Sequence, residues 1–134
     1  MFPIPLSRFT DSAAEQVDGR QQVCLVIPIL ADRSDDARAF MRELEGARSG
    51  DYAASEQRIG ITREVWHLAS MPGGDVLIAS IESRNFESAL ELFSASRDDF
   101  DLWFKRRLTA ATGLDLNDPP AISLPETLSV YAAS

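Results

Sequence analysis

Hydrophobic and polar positions along this chain switch between two periods, and the switches mark its elements. The run Gln22-Val23-Cys24-Leu25-Val26-Ile27-Pro28-Ile29-Leu30 is apolar at nearly every position and rich in β-branched residues. That is the composition of a strand covered on both faces, and a central place in a sheet follows. Pro28 removes one ladder donor, so pairing should weaken toward that end. The period then lengthens: Ala37, Phe40, Met41 and Leu44 recur at three- and four-residue steps, which predicts a helix with one core-facing stripe. Ser34 stands where a cap belongs, and Asp35 and Asp36 favour the positive end of the helix dipole. Asp51 to Arg58 predicts a second, shorter helix before Gly60.

From Ile61 to Met71 the residues are again strand formers, Pro72-Gly73-Gly74 is a turn signal, and Asp75 to Ile81 is a strand apolar on both faces. The two make a hairpin with a two- or three-residue loop. Helical spacing returns at Phe86, Ala89, Leu90 and Phe93, opened by Asn85 or Ser83. Ser94-Ala95-Ser96 interrupts it, and Ser96 with Asp99 has the spacing of an acidic capping box ahead of Phe100, Trp103, Phe104 and Leu108. Gly113 stops this helix, Asn117-Asp118-Pro119-Pro120 is a loop, and Thr127 to Ala132 alternates as a short final strand. Residues 1–20, with their prolines and an Asp18-Gly19 turn, read as an N-terminal arm, and 21–134 as one domain.

The predicted fold is therefore α+β and ferredoxin-like: a βαββαβ order, a four-stranded antiparallel sheet and helices on one face. Two strands apolar on both sides cannot leave the second face in water. A second copy of the chain is the simplest cover, so a homodimer through the sheet face is expected.

Composition narrows the chemistry. At 134 residues and 45% hydrophobic, the chain suffices for one core. A net charge of -8 repels phosphate backbones and anionic lipid, so neither nucleic acid nor membrane is an expected partner. The start lacks the basic flank and long apolar stretch of a signal peptide, and the single cysteine, Cys24, cannot form an internal disulfide, so a cytoplasmic address is expected. One histidine and one cysteine cannot build a four-ligand zinc site, no calcium-loop spacing occurs, and no glycine-rich phosphate loop is present. No metal and no cofactor is expected.

Together, Arg63-Glu64-Val65-Trp66-His67-Leu68, the Pro72-Gly73-Gly74-Asp75 turn and Phe100-Asp101-Leu102-Trp103-Phe104-Lys105-Arg106-Arg107-Leu108 resemble an uncharacterised bacterial branch of the dimeric α/β-barrel superfamily. The resemblance spans residues 21 to 132 and rests on element order and aromatic stretches. It implies a ferredoxin-like protomer packed against a second copy. Members of that superfamily include cofactor-independent monooxygenases, haem-degrading enzymes, small cyclases and proteins without known activity, and fold likeness does not choose among them.

The candidate site residues compete with ordinary structural roles. His67 alone has an unperturbed pKa near neutrality and is the first candidate for acid or base work, although a lone strand histidine more often packs locally. Trp66 is its neighbour, but adjacent strand residues point to opposite faces, so the pair cannot line one cavity. With Asn85 at a loop–helix junction, the Asn, Trp and His constellation of haem-degrading relatives is not reproduced. Glu64 shares a face with Trp66 and acts as a base if desolvated. Arg63, on the His67 face, is a candidate for an anionic group or for a nearby carboxylate. Trp103 and Tyr131 are candidate ligand contacts whose commoner roles are core and interface packing. Two functions follow: a homodimeric module that binds a small hydrophobic or aromatic metabolite without catalysis, and a monooxygenase-like or cyclase-like enzyme using His67 or Glu64. The first is preferred, because no acid, base and nucleophile set assembles from same-face neighbours.

Overall fold

The computed structural model describes residues 15–17, 19–119 and 124–133. Most of the arm expected over residues 1–20, including Asp18 of its turn, lies outside the described residues. The elements are β1 (Glu15–Val17), β2 (Arg20–Pro28), α1 (Ser34–Glu45), α2 (Ser49–Ile59), β3 (Ile61–Met71), β4 (Gly74–Ser83), α3 (Phe86–Ala95) and α4 (Asp99–Thr112). The three long strands lie in the order β2-β4-β3, all antiparallel, and β1 adds a short ribbon beside β2. The α+β architecture with a central β2–β4 pair is present as expected.

The final strand is not. Residues 124–133 form no strand, and the place beside β2 is held at Arg20–Gln22 by β1. The four-stranded βαββαβ order is thus corrected. A hairpin closing through Gly19, at φ 77, fixes far less chain than a return from residue 127 would, so local pairing takes that edge at lower entropic cost. The loop of the β3–β4 hairpin is Pro72-Gly73, because Met71 pairs with Gly74.

Alternation decides which strand residues meet the helices. Val23, Ile27, Leu77, Ala79 and Ile81 are buried beneath them, while Cys24 and Val26 face outward and are exposed. The helices supply Phe40, Leu44, Phe86, Leu90, Phe93, Phe100, Phe104 and Leu108, and Leu124 beyond the last helix packs against Val23 and Ile81. Phe104 sits at the centre, 4.9 Å from Phe40, 5.3 Å from Phe93 and 6.3 Å from both Tyr52 and Trp66 between ring centroids. Edge-on arrangements among these rings suit their quadrupoles.

Two expected caps are replaced. Ser34 lies inside α1 and donates instead to Asp75 at 2.6 Å, with Arg33 in the cap position. Asp98, not Ser96, caps α4 by accepting from the Phe100 amide at 3.0 Å. Asn85 caps α3 as expected, accepting from the Ser88 amide at 2.9 Å, and Gln21 of β2 accepts the Phe86 amide at 2.8 Å. Left-handed glycines close two helices, Gly60 after α2 at φ 87 and Gly113 after α4 at φ 79, conformations that an L side chain resists.

The helix layer also holds buried charge. Asp101 accepts from Ser55, from Ser96 at 2.6 Å and from Arg58 at 3.3 Å. One turn on, Lys105 is fully buried and donates to the carbonyls of Phe93, Ser94 and Ser96 at 2.8, 3.3 and 3.0 Å. These carbonyls end α3, where the dipole is negative and a cation is favoured. Asp101 and Lys105 therefore pin α2, α3 and α4 together. Asp101→Ala strands the buried Ser55 hydroxyl and removes an acceptor from Ser96 and Arg58, and should cost about 1 to 3 kcal/mol, read as a fall in urea midpoint at constant slope.

Candidate functional site

On β3 the two-residue period sets Glu64, Trp66 and Leu68 toward the helices and Arg63, Val65, His67 and Ala69 toward the open face. On α2 the helical period turns Tyr52, Ser55, Glu56 and Ile59 inward. Where these two stripes meet, Glu64 accepts a hydrogen bond from the Tyr52 hydroxyl and one at 2.9 Å from the Trp66 indole nitrogen. Glu56, one turn after Tyr52, faces the same carboxyl.

The surroundings are apolar. A cavity of about 80 Å³ lies between sheet and helices, lined by Leu25, Ile81, Ala89, Leu90 and Phe104 together with Trp66, and both Glu56 and Glu64 reach its wall. Burial pushes the Glu64 carboxyl up, while Tyr52, Trp66 and Glu56 as donors pull it part of the way back. For Glu56, burial and then the neighbouring Glu64 charge raise the pKa from 4.5 to about 9. Burial, followed by Glu64, also raises the Tyr52 phenol, which stays protonated and keeps donating. The Glu56 Oε2 atom is sealed from water and has no protein donor, so an ionised carboxyl there would stand uncompensated. Near neutrality Glu56 keeps its proton, and Glu64, which already takes the Tyr52 and Trp66 donors, is the acceptor of the pair. One proton is shared by two carboxyls at the edge of an apolar space.

The other expected site residues are distributed elsewhere. His67 is exposed on the open face, yet the shallow groove along the β3 edge beside α1 is bordered by both Trp66 and His67, so at this sheet edge the adjacent pair meets one groove although alternation turns the two to opposite faces. Arg63 also lies on the open face, paired in register with Glu82. Trp103 packs against Phe40 and Phe100 at 5.5 Å and lies under the guanidinium groups of Arg48 and Arg107 at 4.4 and 5.4 Å, away from the cavity. Tyr131 is 90% exposed. The structure thus joins Glu64 with Trp66 at the cavity, sets His67 beside Trp66 only at the outer groove, and brings neither Arg63, Trp103 nor Tyr131 to them.

Tyr52 and Glu56 were not anticipated. Their signal was present: an acid and a phenol one turn apart share the inward stripe of α2 with Ile59. Among the described residues, no group of histidine, cysteine and carboxylate side chains could hold a metal ion. No helix of the described residues is long and apolar enough to cross a membrane. Comparison with family models, curated proteins and solved structures returned no match.

The shared proton sets a pH dependence. Because the folded pKa of Glu56 lies above its unfolded value, the folded state holds a proton that the unfolded state has lost between pH 4.5 and about 9. Stability should be greatest near the acid end of that window and fall as pH rises through it. Urea unfolding at several pH values should show this decline, and Glu56→Gln should flatten it.

Proposed function

We propose that this domain binds a small apolar molecule in the cavity between sheet and helices, with one polar head presented to Glu56 and Glu64. The observation that carries this reading is the carboxyl pair at the wall of an apolar space. Such a place is rare without a use, since burying an acid costs free energy unless something compensates it. The cavity, at about 80 Å³, is roughly half the ~150 Å³ that accepts benzene, so a ligand of a few heavy atoms fits without rearrangement. The head should be a hydrogen-bond donor, an alcohol or an amine, because Glu64 is an acceptor and a third carboxylate would be repelled.

The protomer is read as a ferredoxin-like unit whose last strand is replaced at the edge by β1, and the assembly as a homodimer through the open sheet face. A second reading, an enzyme of the monooxygenase-like or cyclase-like kind, draws on one observation: two buried carboxyls, Glu56 and Glu64, face each other at the cavity wall, the pairing from which acid–base chemistry is built. Binding without turnover is preferred, because the cavity brings no nucleophile to the pair and His67 lies across the sheet.

The test is a calorimetric titration with butan-1-ol, butylamine and butyrate. The alcohol and the amine should bind, and butyrate should not. Ala89→Leu, which fills the cavity, should abolish binding, and Glu64→Gln should weaken it at least about tenfold. Binding that persists unchanged in Ala89→Leu would place the ligand elsewhere and defeat the proposal.

A further inference from the structure

The open sheet face and the C-terminal segment each leave apolar surface in water, and they meet at one edge. Val26 is 58% exposed on that face, with Ile78, Val76 and Val65 half-buried beside it. Beyond Leu124, which is anchored in the core, Pro125 to Thr127 crosses the polar end of the same face beside Gln22, Arg63 and Glu82. The chain then leaves the body. Leu128 is 84% exposed and Val130 57%, in a stretch that pairs with no strand among the described residues. Laid out as a strand against a partner, the two side chains would share one side and present a short apolar blade.

Charge separates this face from the rest of the molecule. The chain carries -8 overall, yet the outward positions of the three long strands hold only Arg20, Arg63 and Glu82 as charged groups, a formal sum of +1. A second copy approaching here meets far less of the acidic surface that would repel it elsewhere. Glu126, at the root of the tail, brings a negative charge to the side where Arg63 stands.

We infer that residues 128–132 of one copy lie across the open sheet face of a second copy, with Leu128 and Val130 against the partner's Val26 and Ile78, and that the exchange is reciprocal. This rests on the homodimer reading above and adds the tail as its clasp. The exchange buries both apolar surfaces at once, and a two-fold axis makes each copy donor and acceptor. It also explains why an alternating segment with the pattern of a strand finds no place in its own sheet: that pattern serves a surface on another molecule.

Cys24, the sole cysteine and exposed on this face, supplies the test. Val130→Cys is prepared as isotopically light and heavy protein, mixed and then oxidised. The expected product is a disulfide between Cys24 of one chain and the thiol introduced at position 130 of the other, joining light to heavy chains. A chain ending at Thr127 should keep its fold and dimerise at least about tenfold more weakly by light scattering. A link from Cys24 to position 130 confined to single chains would overturn the exchange, because the tail would then cover its own sheet. A dimer that forms equally well without residues 128–134 would also overturn it while leaving the homodimer intact. A wild-type mass near 14.8 kDa at micromolar concentration would defeat both.

Discussion

Among the described residues, four helices cover one face of an antiparallel sheet of three long strands edged by the short β1, and the structure is arranged around that one-sided burial. Phe104 sits where the helix layer meets the sheet, touching the rings of Phe40, Phe93, Tyr52 and Trp66, so α1, α2, α3 and β3 are held through one side chain on α4. The buried ion chemistry answers the same constraint. Lys105 neutralises the carbonyl end of α3, and Asp101 gathers donors from α2 and from the α3–α4 link. Charges removed from water this way must be fully partnered, which fixes the relative placement of three helices more narrowly than apolar contact alone.

The carboxyl pair departs from that rule, and its departure is informative. Glu64 has donors in Tyr52 and Trp66, but among the described residues Glu56 meets no cation, because Arg58 on the same helix turns toward Asp98 and Asp101. The low polarity of the cavity then decides the protonation state. A single proton held between two acids gives this wall one acceptor and one donor. It is a polar anchor suited to an apolar molecule with one hydrogen-bonding head.

Much of the fold was legible in the sequence, because its strongest signals were periodic. The boundaries of β3, the turn at Pro72-Gly73 and the break at Ser94-Ala95-Ser96 follow from the residues themselves, and alternation correctly set Glu64 beside Trp66 and His67 on the opposite face. The sequence could not reveal that α2 would lay Tyr52 and Glu56 against Glu64, since that contact depends on how a helix crosses a strand. It also misled at the C-terminus. Thr127 to Ala132 has the alternation of a strand, but alternation records only that one side is apolar, and the choice of neighbour belongs to tertiary packing. Ser34 and Ser96 are not the caps because the helices begin one residue too early for the first and two too late for the second: Arg33 and Asp98 hold the cap positions, and the serine hydroxyls donate to Asp75 and Asp101.

The central claim is that Glu56 keeps its proton beside Glu64 at the wall of an apolar cavity. The most direct measurement is the carboxyl carbon chemical shift of each glutamate followed by NMR across pH 3 to 10. One resonance that titrates near 9, lost in Glu56→Gln, is the predicted result. Both carboxyls titrating near 4.5, as in open water, would contradict the account.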